Sequence, residues 1–281
     1  MKITNPHAQK SFWDEIDGPI FALAPMANVT DVVFRNLLAK HSMNTQEGRL
    51  NVIWNEFISV DGLASAGRTA FWRDLRLWSH EQPCIAQLFG GTPENFVEAA
   101  RLCHDLGFAG IDINAGCPDR AINKQGAGAA LCKTPQLAQE IIKACKEGAN
   151  DIPVSIKIRL GWNTDESKTW VPALLEAEPA AIAVHARTRK DLSKTDPDWE
   201  SVKGIVKMAK GTSTKILGNG AIRSIAEARK VVSETGVDGV LMGKATFGNP
   251  WAFWENPRDV TVSDRLDMLI EHVDLYIDEF K

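Results

Sequence analysis

Eight short apolar, β-rich runs alternate with helical patterns along this chain, and no other feature limits the possible folds as strongly. The runs fall at residues 20–24, 52–57, 84–89, 110–114, 154–159, 181–185, 215–218 and 239–242. Most are continuously apolar, as strands buried on both faces are. Helix starts lie between them. Thr92 reads as an N-cap with Pro93 at the first helical position, Thr134-Pro135 repeats that start, and Ser224 with Glu227 reads as a capping box. Phe96, Ala99, Ala100 and Cys103 would be the apolar face after Pro93. In 281 residues, eight strands alternating with helices close most simply into an α/β fold of the (β/α)8, or TIM, barrel type. A doubly wound open sheet is the competing architecture.

The barrel accounts for residues 1–254, and 255–281 read as the start of a C-terminal helical extension. One amphipathic helix begins near Ser263, with Leu266, Leu269, Ile270, Val273 and Ile277 on one face. It is either the first helix of a further unit or a helix that packs on the barrel or a partner.

The net charge of −4 argues against a general polyanion binder, though not against a local basic patch. No apolar run approaches the roughly 18 residues of a membrane span. The first residues carry both charge signs and no apolar signal segment. The five cysteines are an odd number with no C-x-x-C spacing, so neither a disulfide framework nor a metal site is expected. A cytoplasmic monomer follows as the expectation.

In a (β/α)8 barrel the chemistry lies at the C-terminal strand ends. The run IDINAGCPDRAINKQGAGAALC, residues 111–132, leads from a strand through Asn114 to Cys117-Pro118 and a loop carrying Gly126 and Gly128. Proline ends the strand pairing, leaving the thiol at the strand mouth under a loop able to fold over it. Lys157 lies inside Val-Ser-Ile-Lys-Ile, where an unpaired ammonium is costly. It calls for an anionic partner, such as a flavin ring that turns negative on reduction. Gln87, in Ala-Gln-Leu-Phe, is a buried amide suited to a ring edge. Gly218-Asn219-Gly220 follows one strand and would open a helix, and Gly243-Lys244 follows the next strand, a common phosphate-binding arrangement. His185 ends another strand, either as a core histidine or at the site. Arg120 and Lys124 in one strand-end loop, and Arg187, Arg189 and Lys190 in another, make a basic rim fit for a polyanion such as nucleic acid.

These motifs together resemble the tRNA-dihydrouridine synthases, flavin-dependent barrel enzymes that reduce uridine in tRNA. The resemblance runs from about residue 20 to 254. It rests on Ala24-Pro25-Met26-Ala27 with Thr30-Asp31 and Phe34-Arg35, and on Asn114-Ala115-Gly116-Cys117-Pro118 with Gly126-Ala127-Gly128. Lys157-Ile158-Arg159, His185-Ala186-Arg187-Thr188-Arg189, Gly218-Asn219-Gly220 and Gly248-Asn249-Pro250-Trp251 complete it. It implies FMN as cofactor and NADPH, or NADH, as reductant. Pro25, Met26 and Ala27 would lie against the flavin ring, Gln87 on its edge, and Lys157 and His185 near its reduced form. Asn219, Gly220, Ala221, Gly243 and Lys244 would hold the phosphate. Hydride would pass to C6 of the uracil while Cys117, the general acid, protonates C5. Asn114, Arg120, Lys124, Arg187, Arg189 and Lys190 would face tRNA, and 255–281 would begin the family's helical tRNA-binding domain. The family usually has Gly at positions 28 and 186, Asp at 221 and Arg at 244, where this chain has Asn28, Ala186, Ala221 and Lys244. A flavin barrel acting on a free pyrimidine or other small alkene, and an RNA-binding barrel without turnover, are the alternatives.

Overall fold

The computed structural model describes residues 11–43, 45–257 and 259–281. All eight apolar runs are strands: β1 (Ile20–Leu23), β2 (Val52–Ser59), β3 (Cys84–Phe89), β4 (Gly110–Ala115), β5 (Val154–Arg159), β6 (Ala181–His185), β7 (Lys215–Asn219) and β8 (Gly239–Met242). Each pairs in parallel with the next, and β8 returns to β1 with Ile20 opposite Gly239 and Leu23 opposite Met242, so the sheet is a closed barrel. The helices are α1 (Val32–Ser42), α2 (Val60–Leu63), α3 (Pro93–Asp105), α4 (Arg120–Lys124), α5 (Pro135–Ala149), α6 (Ser167–Glu176), α7 (Trp199–Ala209), α8 (Ile225–Thr235) and α9 (Val262–Phe280). Among the described residues, no helix is long and apolar enough to cross a membrane.

Period-two alternation sorts the strand residues into two layers. Ile20, Ala22, Val52, Trp54, Ile85, Ala181, Ala183, Leu217 and Leu241 fill the barrel interior, where Trp13 joins them. Phe21, Leu23, Ile53, Ile111, Ile113, Ile156 and Val184 belong to the larger layer packed with the helices. The same alternation turns Gln87, Asp112, Asn114, Ser155 and Lys157 inward. They meet in register, Gln87 beside Asp112, Asp112 beside Ser155 and Asn114 beside Lys157. A register shift in β2 between Trp54 and Phe57 is a bulge, and it lets Asn55 Oδ1 accept the Gln87 backbone N–H at 2.7 Å.

The helix starts follow the sequence with two corrections. Thr92 and Thr134 occupy N-cap positions, but neither side chain accepts a helix N–H, so the proline after each carries the signal. Ser224 Oγ accepts the Glu227 N–H, whereas Glu227 takes the N–H of Arg223 rather than that of Ser224. The capping box there is therefore half made. It is complete at the start of α9, between Thr261 and Asp264.

Leu266, Leu269, Ile270, Val273 and Ile277 do share a face of α9, and that face is exposed, from 39 % to 60 %. The helix docks on the barrel by another side. Met268 is buried against Leu37 and Trp251, Glu271 pairs with Lys40 at 2.5 Å, Glu279 meets Arg76, and Arg73 donates to the Tyr276 hydroxyl. Charged and aromatic anchors, absent from an apolar-periodicity reading, decide its orientation.

Among the described residues, one ion pair is fully buried. Arg35 Nε lies 2.7 Å from Glu81 Oε2, with both side chains at most 1 % exposed. The rest of the guanidinium donates to the carbonyls of Thr30 at 2.9 Å and Arg76 at 2.6 Å. Thr30 in turn holds the Met26 backbone, so this pair shapes the loop that leaves β1. Removing one partner strands a buried charge, which costs about 3–5 kcal/mol. Glu81→Ala should lose that much in a urea titration, and Lys40→Ala, at an exposed pair, should leave the midpoint nearly unchanged.

Candidate active site

The C-terminal strand ends surround a cavity of about 460 Å³. Pro25, Met26 and Ala27 line it from the loop after β1. Gln87, Asn114, Cys117, Lys157, His185 and Arg187 line it from β3 to β6 and their loops. Asn219, Gly220, Ala221, Gly243 and Lys244 complete the wall after β7 and β8. The barrel thus gathers every residue singled out for the cofactor, together with the cysteine.

The rim residues divide. Arg120, Arg189 and Lys190 line a shallower depression that shares Ala27, Phe57, Cys117 and Pro118 with the cavity. Lys124 lines neither and is exposed at the end of α4. Arg187 is not on the rim. It is buried, with Nε donating to Thr195 O at 2.8 Å and another nitrogen 3.1 Å from His185 Nε2. A bend just past β6, in which the Arg187 N–H donates back to His185 O at 2.6 Å, carries it into the cavity wall, which a reading of loop charge alone does not capture. Arg189 stacks over Trp162 at 4.5 Å, with Lys133 over the same ring at 3.5 Å.

Cys117 is half-buried, whereas Cys84, Cys103, Cys132 and Cys145 are buried. Its turn is held from three sides. Asn114 Oδ1 accepts the Cys117 N–H at 2.9 Å and the Gly116 N–H at 3.2 Å. Arg159 Nε donates to Gly116 O at 2.8 Å while its other end holds the carbonyls of Thr188 and Leu192. The glycine loop folds back so that Ala129 N–H donates to Cys117 O at 3.0 Å. Burial pushes the thiol above its ordinary pKa, outweighing the Asp119 backbone N–H, Arg159 and Lys157, which act downward. The thiol is therefore protonated at neutral pH. Cys132, by contrast, donates to Glu166 and is pushed up to about 12, chiefly by burial.

Lys157 Nζ donates to Asn219 Oδ1 at 3.1 Å, and Asn219 is fixed by Leu241 O at 2.9 Å. Burial and then Arg159 lower the ammonium to about 8. His185 is lowered to about 2 by burial and by Lys157, Arg159, Arg187 and Lys244, so its ring is neutral. Arginine only donates, so His185 Nε2 accepts from Arg187 and the ring proton sits on Nδ1. Among the described residues, no carboxylate lies within ion-pair distance of Lys157, Arg159, Arg187, Arg189 or Lys244. The cavity of this acidic protein is lined by cations and by no carboxylate.

The phosphate-like end differs in detail from the sequence reading. Gly220 does not open a helix, because α8 begins at Ile225 behind its own Ser224 cap. Lys244 starts only a short 3-10 turn, Lys244–Thr246. A Cβ on Gly243 would lie 3.2 Å from Met26 Sδ, so the backbone there runs close against that side chain. Two of the departures from the family have a backbone meaning. Asn28 and Ala221 both have positive φ, 57° and 52°. Asparagine tolerates that conformation in place of glycine, whereas alanine does so at a cost of about 1 kcal/mol or more. Arg159, Asp112 and Ser155 are site-supporting residues beyond those singled out as candidate ligands. Their signal is the shared inward face of β4 and β5.

A closed (β/α)8 barrel whose mouth combines a protonated thiol with unpaired cations is the class defined by fold and site. Comparison with known proteins narrows it. The model of the family described as Dihydrouridine synthase (Dus) matches residues 22–275, and this chain belongs to that family. A Staphylococcus aureus (strain MRSA252) protein named "Probable tRNA-dihydrouridine synthase" is 36 % identical over 278 residues, covering 95 % of this chain and 80 % of that protein. "Probable tRNA-dihydrouridine synthase 2" of Bacillus subtilis (strain 168) is 36 % identical over 275 residues, covering 96 % and 82 %. Among solved structures, morphinone reductase in complex with tetrahydroNAD superposes with a TM-score of 0.56 at 12 % identity, covering 83 % of this chain and 84 % of that one. The old yellow enzyme homologue from Zymomonas mobilis gives 0.56 at 10 % identity, covering 88 % and 92 %. At that identity the shared property is the barrel.

The glycine loop is the part of the site most sensitive to a small change. Gly128 has φ +61°, and a Cβ on it would lie 2.9 Å from Cys117 O. Gly128→Ala should cost about 1–3 kcal/mol through backbone strain alone. It should also detach the loop from Cys117, which hydrogen exchange at the Ala129 amide would report as lost protection.

Proposed function

We propose that this protein reduces uridine in tRNA to 5,6-dihydrouridine, with FMN bound in the cavity and NADPH or NADH as reductant. The observation that carries the reading is a protonated, half-buried thiol at the mouth of a cationic cavity that has no carboxylate of its own.

The residues present suit a flavin mononucleotide. A volume of about 460 Å³ is within the usual range for cofactor sites, about 300–1,000 Å³. Pro25, Met26 and Ala27 offer an apolar wall to a planar ring, and Gln87 and Asn114 offer amides to its edge. Gly220, Gly243 and Lys244 leave backbone space and a cation for a phosphate, although lysine lacks the forked geometry of the arginine usual in the family. Bound flavin supplies the two reducing electrons.

The chain's own residues do the rest. Lys157 is positioned by Asn219 to balance negative charge that accumulates on the ring. An anion beside it raises its pKa from about 8, so the ammonium is kept through the neutral range. Neutral His185 offers Nδ1–H as a donor without adding charge. Asn114 fixes the Cys117 backbone, which aims the thiol at the carbon that must receive a proton, C5 of the uracil. Arg120, Arg189 and Lys190 lie beside this opening and suit phosphates flanking an extruded uridine. Extruding a base costs a few kcal/mol, about what several such contacts can return. The segment 255–281 contributes α9, whose exposed apolar face suits the start of the family's helical tRNA-binding domain.

Loss of Cys117 separates this reading from its rivals. Cys117→Ala should keep FMN, identified by chromatography of the released chromophore, while reduction of tRNA falls by about 10²-fold or more. The wild-type rate should be flat through neutral pH. It should fall as pH rises past the raised thiol pKa, because only the protonated thiol donates. Undiminished turnover in the variant removes Cys117 from the acid's role. Rapid reduction of free uracil favours a small-alkene reductase, and a colourless protein that takes up no FMN favours an RNA-binding barrel.

A further inference from the structure

A single chain of hydrogen bonds crosses the barrel interior beneath the cavity. The Cys117 N–H donates to Asn114 Oδ1 at 2.9 Å, and Asn114 Nδ2 donates to Gln87 Oε1 at 2.9 Å. Gln87 Nε2 then donates to Asp112 Oδ2 at 2.7 Å, and Ser155 Oγ donates to Asp112 Oδ1 at 2.7 Å. From Cys117 to Asp112 every bond runs in the same sense, and Ser155 donates into Asp112 from the far side. The backbone N–H at one end can only donate and the carboxylate at the other can only accept, so the two amides between them have one arrangement. Asp112, Gln87 and Ser155 are at most 1 % exposed, so water cannot substitute for a missing partner. A half-satisfied network in such a place is costly.

We propose that Asp112 is a positioning residue for Cys117. Its side-chain oxygen is the terminal acceptor of the hydrogen-bond chain that, through Gln87 and Asn114, holds the Cys117 turn at the mouth of the barrel. It does so from outside the cavity lining. This rests on the assignment of Cys117 as the acid, but its test does not pass through turnover.

The direction of the chain can be reversed on paper, which makes the role testable. In Asp112→Asn the new amide can still accept from Gln87 with its oxygen. Its nitrogen then donates to Ser155 Oγ, which keeps Ile111 O as its own acceptor at 3.2 Å. In Asn114→Asp the Cys117 and Gly116 N–H groups are still met, but Gln87 Oε1 loses its donor and faces a carboxylate. Combining both restores a matched chain running the other way: Gln87 Nε2 donates to the new carboxylate, and the residue-112 amide donates to Gln87 Oε1.

The experiment compares these three variants with the wild type, in the protein as purified, by thermal midpoint and by the rate at which iodoacetamide labels Cys117. The other four cysteines are buried, and mass spectrometry of peptides assigns the label. Asp112→Asn should stay close to wild type in both readouts. Asn114→Asp should melt earlier and label several-fold differently, and the double variant should recover most of both losses. Losses that simply add overturn the proposal, as does an Asp112→Asn variant as damaged as Asn114→Asp. If Asn114→Asp does not fold, a folded double variant supports the proposal and an unfolded one overturns it.

Discussion

Cations converge at the mouth of this barrel with no carboxylate within ion-pair distance among the described residues. Lys157, Arg159, Arg187 and Lys244 line one cavity, and the cost of gathering them shows in the pKa values of Lys157, lowered to about 8, and His185, lowered to about 2, both chiefly by burial. Like charges in a desolvated space repel, so the arrangement needs either fixed dipoles or a bound anion. The chain supplies dipoles for some: three carbonyls for Arg159, one for Arg187, and an amide oxygen for Lys157. What remains is an incompletely compensated field, which suits a cofactor carrying a phosphate and a ring that turns negative. The overall charge of −4 does not conflict with a polyanionic substrate, because no acidic residue lines the cavity.

The barrel itself was legible in the sequence because its cause is local. Strands buried on both faces must be apolar along their length, and runs such as Ala181–His185 and Gly239–Met242 could be bounded from that rule alone. The site was legible for a related reason. Parallel closure brings every C-terminal strand end to one rim, so polar residues in those few positions converge whatever their separation in the chain. Gln87, Lys157, His185 and Asn219 come together from four strands, with Lys244 from the turn after β8, on that principle.

What was not legible depends on pairs that no periodicity links. Arg35 and Glu81 are 46 positions apart and meet only because a segment outside the barrel folds across α1. The burial of Arg187, predicted as a rim charge, follows from a side chain turning inward just beyond a strand. The orientation of α9 was hidden because its most apolar face is not the one that docks; Glu271, Tyr276 and Glu279 select the other side. The positive φ of Asn28 and Ala221 gives those two departures from the family a backbone context, which residue identity alone does not supply.

The central claim is that this cationic, thiol-bearing mouth serves reduction of a base within tRNA. Its most direct test uses the purified, FMN-loaded protein, NADPH and a tRNA transcript made without modifications. Nuclease digestion and mass spectrometry then locate any uridine that has gained two hydrogens. The account predicts dihydrouridine at one or a few defined positions with wild-type protein, and none with Cys117→Ala carrying the same flavin. A wild-type protein whose flavin is reduced by NADPH, yet which leaves every uridine of every transcript unchanged, would contradict it.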